Sequence, residues 1–310
     1  MSAGAAGTRP KLGLVLPMFS EDPASVLAFA RRADALGYDG VFAFDHFFPP
    51  GTSPARPSLE AFTMLAAIAA STERIAVGTL VARAVIRPAG MLAKMAASID
   101  ELSGGRMIVA IGSGDRIDEP EHRAFGLPQP DLAERRAILE ETVRAVQALF
   151  AGDVWPGGDH VPPMEGPLVP PPHTPGGPPV WIGGRSSTVV RMAARIADGW
   201  NGWGVPLEEF RESARTLREA AAELGRAVEP TWAGVALVGA DEREAEELLR
   251  ARRVSSPIEA DLWNGSVDAF AEHLRGLADA GATWAIVLPA GSPDRLELIA
   301  ERTISRAVAG

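Results

Sequence analysis

Short apolar runs bounded by Gly, Pro or Asp recur along this chain and alternate with longer stretches in which apolar residues return every three or four positions. The short runs read as buried strands and the longer ones as amphipathic helices. Leu12–Leu16 is such a run, closed by Pro17, and Asp22-Pro23 then supplies a cap and a first-turn proline for a helix that Gly37 stops after Leu36. Further strands are read at Gly40–Phe44, Ile75–Val81, Met107–Ile111, Val180–Ile182, Gly199–Trp203, Thr231–Val238 and Trp284–Leu288. Helical patterns fill the intervals at Leu59–Ala70, Pro88–Leu102, Leu132–Phe150, the stretch carrying Val189 to Ile196, Pro206–Leu224, Asp241–Arg252, Val267–Ala280 and Asp294–Ala307. Ser255–Gly265 reads as irregular.

Eight strands alternating with helices predict an α/β fold, a single (β/α)8 TIM barrel domain over residues 1–310. An open doubly wound sheet is the competing architecture, and it rarely needs this many consecutive units. Gly152 to Pro179, with its PPPHTPGGPP run, is too rich in Pro and Gly for a regular element. Residues 151–179 are therefore expected to be an insertion before the fifth strand, with a lid as one use of it.

In a barrel the turns that follow strands gather at the catalytic face, and those that follow helices stabilise the opposite end. That rule sorts the candidate motifs. Ser103-Gly104-Gly105-Arg106 ends a helix and is assigned to a C-cap, although it looks like a phosphate loop. Thr79-Leu80-Val81, Gly112-Ser113-Gly114-Asp115 and Asp45-His46 all follow strands, as does Gly183-Gly184-Arg185-Ser186. The last is a glycine turn leading into a helix N-terminus, which suits a phosphate through backbone N–H groups, the helix dipole and Arg185. Equally, those glycines can serve a tight turn alone, with Ser186 or Ser187 as the helix cap. His46 is the leading acid/base candidate, oriented by its neighbour Asp45, against the alternative of a structural histidine among Phe42, Phe44, Phe47 and Phe48. Asp115 offers a second carboxylate, whereas Asp118, Glu119 and Glu121 read as a solvated helix start. Arg83 and Arg87 are open to either an anionic ligand or surface acids. Trp200 and Trp203 are open to either a pocket wall or the core.

Composition narrows the partners. A net charge of −10 argues against nucleic acid and against an anionic membrane surface. The absence of cysteine excludes disulfides and thiolate chemistry, and His122, His160, His173 and His273 show no metal-ligand spacing, so no metal is expected. MSAGAAGTRPK has neither the apolar segment of a signal peptide nor that of a membrane span, and a cytoplasmic location is the expectation.

Taken together, GYDGVFAFDHFFP (37–49), TERIAVGTLV (72–81), LAKMAASIDELSGGRMIVAIGSG (92–114), EHRAFGLP (121–128) and VWIGGRSSTVVRMAARIADGWNG (180–202) resemble the luciferase-like monooxygenase superfamily. Within it, the Asp45-His46 pair is similar to the branch that uses the deazaflavin coenzyme F420, with FMN as the alternative cofactor. The resemblance implies a cofactor across the C-terminal face of a barrel and hydride transfer to or from a small-molecule substrate. An FMN-dependent monooxygenase and a non-catalytic flavin- or deazaflavin-binding protein are the alternatives. It further implies that His46 exchanges a proton beside the reactive ring and that Asp45 contacts the cofactor. Gly183, Gly184, Arg185 and Ser186 would hold its phosphate, while Thr79, Leu80, Val81, Gly112, Ser113 and Gly114 would line the cofactor site. A non-proline cis peptide at Leu80-Val81 would back the ring. Asp115 stands where sugar-phosphate dehydrogenases of the family carry an acidic residue, which makes it a candidate catalytic acid. Relatives often form homodimers.

Overall fold

The structure, a computed structural model, describes residues 9–50, 56–255, 262–290 and 294–304. Ten strands alternate with helices along them: β1 (Lys11–Val15), α1 (Pro23–Leu36), β2 (Gly40–Ala43), α2 (Ala61–Ser71), β3 (Ala76–Thr79), β4 (Ala82–Arg83), α3 (Ala89–Ser103) and β5 (Met107–Gly112). A 3-10 turn (Arg116–Asp118), α4 (Glu119–Ala124) and α5 (Leu132–Phe150) follow. The second half comprises β6 (Val180–Gly183), α6 (Ser187–Ile196), β7 (Gly199–Trp203), α7 (Leu207–Ala222), β8 (Glu229–Gly239), α8 (Glu242–Ser255), β9 (Leu262–Ser266), α9 (Val267–Asp279), β10 (Trp284–Pro289) and α10 (Arg295–Thr303). Eight parallel strands close in the order β1, β2, β3, β5, β6, β7, β8, β10, and β10 pairs back to β1. The expected (β/α)8 barrel is the observed one.

Two departures from the expected elements have local causes. Pairing along the third predicted strand stops at Thr79, bulges at Leu80-Val81 and resumes as β4 against Ile111 and Gly112 of β5. The stretch expected to be irregular ends in a strand: β9 pairs parallel with the distal half of β8, Val235 opposite Leu262. Residues 256–261 of that stretch and the expected end of the last helix beyond Ile304 lie outside the described residues.

Strand alternation sends Leu12, Leu14, Val41, Val77, Val109 and Ile182 outward to the helices, where one continuous core forms. Inside the barrel three rings fill the axis. Phe42 stacks on Trp181 at 6.0 Å and meets Trp284 edge-on at 5.6 Å. Glycine makes room for them: a Cβ at Gly13 or Gly78 would fall 2.8 or 2.7 Å from the Phe42 ring, and one at Gly199 would fall 2.4 Å from Trp181. At the helix-to-strand end, Gly104 caps α3 with φ 67°. Arg106 there donates to the carbonyls of Ala69, Thr72 and Ile75 at 2.8, 2.9 and 2.6 Å, so this turn is a structural cap as expected.

The Pro-rich segment lies as a strap along α3 and α5. Glu141 of α5 accepts from the N–H groups of Asp159, His160 and Val161, Lys94 of α3 donates to Val169 O, and buried Asp100 accepts from Thr174 N. Its described hydrogen-bond anchors are the flanks of these two helices.

His273 on α9 sits among Trp232, Trp263 and Phe270, and its Nε2 is buried with no hydrogen-bond partner among the described residues. Burial lowers its pKa from 6.5 to about 4. The unfolded chain then binds the extra proton between those values, so stability falls as pH drops from 6.5 towards 4. His273→Phe should leave stability at pH 7 nearly unchanged. At pH 5 it should make the protein about 2 kcal/mol more stable than wild type. Urea unfolding at the two pH values checks this, and an equal response of both proteins to pH would refute it.

Candidate active site

At the C-terminal end of the barrel the turn after β3 meets the ends of β5 and β6 through one side chain. The Leu80-Val81 peptide is cis, as the resemblance implied, and half-buried Val81 lies between β5 and β6. A Cβ at Gly112 would fall 2.4 Å from Val81 Cγ2, and one at Gly183 would fall 2.6 Å from Val81 Cγ1. Both positions are glycine because the valine occupies the space. Gly183→Ala should therefore destabilise the protein by about 1–3 kcal/mol through overpacking. In a Val81→Ala background the same substitution should be nearly neutral. Denaturant titration of the four proteins decides it, and equal losses in both backgrounds would refute the contact.

Thr79 is fully buried and donates its hydroxyl to Ala110 O at 2.7 Å, while Leu80 packs inside the barrel. Of this trio, Val81 is the half-buried one. Gly112 is buried, and Ser113 and Gly114, with φ 73°, carry the chain outward to the 3-10 turn.

His46 is held by an acid from that direction. Its Nδ1 lies 2.7 Å from Glu121 Oε1, and Glu121 Oε2 accepts from Phe47 N and Arg83 Nη2, both at 2.8 Å. Burial pushes the Glu121 pKa up, but the hydrogen bonds from His46 and Phe47 and the charge of Arg83 outweigh it and leave the carboxyl below the ordinary 4.5. An ionised carboxylate only accepts, so the proton on neutral His46 sits at Nδ1 and leaves Nε2 as the ring nitrogen without one. Asp118 stands 3.7 Å from His46 Nδ1 and also accepts from Asp115 N at 2.7 Å. The donor atoms of His46, Asp118 and Glu121 lie within 4.8 Å of one another, a spacing that a metal ion uses. Buried Arg83 already brings positive charge there, 2.8 Å from Glu121 and 3.7 Å from Asp118, which makes the cluster an ion-pair network.

Several expectations are corrected here. Glu121 and Asp118 are 1% and 3% exposed, so the acidic helix start is not solvated at these positions; only Glu119 is half-exposed there. Their spacing of three residues puts both carboxylates on one helical face, turned towards β2. That spacing was the available signal. Asp45 does not orient His46; it is buried and accepts from Arg87 through both oxygens, at 2.5 and 2.9 Å, and from Arg83 N at 3.0 Å. Arg83 and Arg87 thus meet the buried acids Glu121 and Asp45, and Arg87 also meets the half-buried Glu60. Asp115 is exposed, and its carboxylate caps the 3-10 turn by accepting from Arg116 N.

Across the mouth, Gly184 has φ 151°, donates to Asn201 O at 3.1 Å and accepts from Trp200 Nε1 at 2.7 Å. Ser186 is the N-cap of α6, Ser187 is its first residue, and Arg185 is exposed with Glu209 3.8 Å away. Trp200 is core, fully buried and stacked on Phe210 at 5.6 Å. Trp203 is half-buried and meets Phe44 at 5.3 Å, so it belongs to the mouth.

A parallel eight-stranded barrel with an acid-anchored histidine at its C-terminal mouth and a glycine turn opening a helix nearby is the scaffold of a catalytic α/β barrel. The luciferase-like monooxygenase family profile matches residues 3–300, and the chain belongs to that family. It is 28% identical over 266 residues to an F420-dependent glucose-6-phosphate dehydrogenase of Amycolatopsis mediterranei, a match covering 83% of this chain and 77% of that one. To the enzyme of the same name from Beutenbergia cavernae it is 30% identical over 184 residues, 57% of this chain and 52% of that protein, so the match spans about half of that relative. Among solved structures, an F420-dependent secondary alcohol dehydrogenase in complex with an F420-acetone adduct superposes with a TM-score of 0.82 at 17% identity, covering 95% of this chain and 98% of the other. Among the described residues no helix is long and apolar enough to cross a membrane.

Proposed function

We propose that this protein is an oxidoreductase that transfers a hydride between coenzyme F420 and a small organic substrate. The observation that carries the reading is His46, after β2 at the C-terminal end of the barrel, fixed by Glu121 as its Nδ1–H form, within a family whose matched curated relatives are named F420-dependent dehydrogenases. The residues present suit such a cofactor. Val81, raised on Gly112 and Gly183, offers a firm apolar support for a flat ring. The first turn of α6, capped by Ser186, directs unpaired N–H groups and its dipole at a phosphate, with Arg185 on the same turn. When bound, the deazaflavin supplies the hydride chemistry at its C5.

The chain's own part is positioning, water exclusion and proton handling. His46 Nε2 takes the proton of a substrate hydroxyl in one direction and returns it in the other. Glu121 holds the imidazole through Nδ1, with Asp118 3.7 Å away, and Arg83 keeps both carboxylates in place. Asp115 caps the turn that carries Asp118. A homodimer and a cytoplasmic location complete the reading, and sedimentation velocity and cell fractionation test them.

Absorbance titration of the purified protein with F420 and with FMN tests the cofactor. Saturable F420 binding, together with F420-linked turnover that is lost in His46→Ala while binding persists, is the expected result. Tight FMN binding without F420 binding would overturn it.

A further inference from the structure

The half of the mouth facing the Gly183 turn has an unusual charge balance. Around the ring, β6 stands opposite β1, flanked there by β10 and β2. The loops that follow β1 (16–22) and β8 (240–241) contain no Lys, Arg or His, nor do the described residues Ala290 and Asp294 after β10 or the loop after β7 (204–206), which adjoins β6. Their acids are largely engaged in helix starts: Asp22 accepts from Ala24 N, Asp241 accepts from Glu244 N, and Asp294 lies 3.7 Å from Arg295. Basic residues on the mouth loops after β2, β4 and β5 are paired with acids or exposed to solvent. Arg83 and Arg87 are paired with Glu121 and Asp45, Arg116 and Arg123 are exposed beside Glu119, and Arg56 is exposed.

What lines the mouth from Phe19 and Phe44 across to Trp203 at the end of β7 is aromatic. Phe19 stacks on Phe44 at 6.1 Å, Phe44 meets Trp203 at 5.3 Å and His46 at 6.2 Å, and all four rings are half-buried. A phosphate monoester placed here would lose water without gaining a cation, whereas an apolar body would bury surface against three rings. From this we infer that the substrate is an uncharged molecule with an apolar or aromatic body and one hydroxyl or carbonyl oxygen, which meets His46 Nε2, and that sugar phosphates are rejected. The inference rests on the proposed F420-linked function and adds the substrate class to it.

The test uses the F420-loaded protein with 1-phenylethanol, acetophenone and glucose 6-phosphate as probes, read by calorimetric binding and by the F420 absorbance change. The two uncharged probes should bind at least 100-fold more tightly than glucose 6-phosphate. Trp203→Ala should weaken them about tenfold without changing F420 affinity. Phe19→Lys should weaken them further while raising glucose 6-phosphate affinity at least tenfold. If F420 binds and glucose 6-phosphate is bound or turned over as well as the uncharged probes, the substrate class is overturned and the F420-linked function stands. Failure of F420 itself to bind overturns that function and this inference with it.

Discussion

Glu121→Gln lowers F420-linked turnover by about 10²- to 10⁴-fold while F420 affinity stays within about threefold. Charge loss is only part of the reason. Phe47 N and Arg83 Nη2 both donate to Glu121 Oε2, so the glutamine must turn its carbonyl oxygen towards them. Its amide nitrogen then faces His46 Nδ1, where the glutamate oxygen had accepted. Neutral His46 is driven to carry its proton on Nε2, the wrong tautomer for accepting one from a hydroxyl. Heteronuclear NMR of the ¹⁵N-labelled imidazole reads the tautomer directly, independently of turnover. An unchanged His46 tautomer, or turnover within threefold of wild type, would remove Glu121 from the positioning role.

Asp45→Asn is the substitution with the largest expected effect on stability, a loss of about 3–5 kcal/mol, at the lower end because Glu60 also contacts Arg87 at 2.6 Å. Burial opposes the charge on Arg87, yet Asp45 and Glu60 outweigh it and raise the guanidinium pKa. Asparagine would place an NH₂ group against one arm of the guanidinium fork and leave that cation poorly compensated. In an Arg87→Met background the same change should have little further effect. Equilibrium urea unfolding measures both, and a loss below about 1 kcal/mol in the wild-type background would show that the pair does not hold the mouth together.

The barrel was legible because each strand is a short apolar run with a breaker at its end, and because Asp22-Pro23, Gly37 and Gly104 mark helix boundaries with residues their backbone angles require. His46 and the Gly183 turn were legible for a different reason, as chemistry-bearing residues directly after strands. The partner of His46 was not, since proximity along the chain favoured Asp45 while the fold supplies Glu121 from 75 residues away. No local pattern encodes such a contact. An acid-rich helix start also resembles a solvated one until a neighbouring element covers it. The two glycines beneath Val81 illustrate the converse: their positions were recognised, but the demand for them comes from a side chain on another strand.

The stack of Phe42, Trp181 and Trp284 stoppers the barrel from below and makes the mouth a blind-ended vessel. Reactant and product must share one doorway, so each turnover waits for the previous occupant to leave. Inhibition by product should accordingly compete with substrate, and sequence drift in the loops around that doorway can change what enters without disturbing the floor.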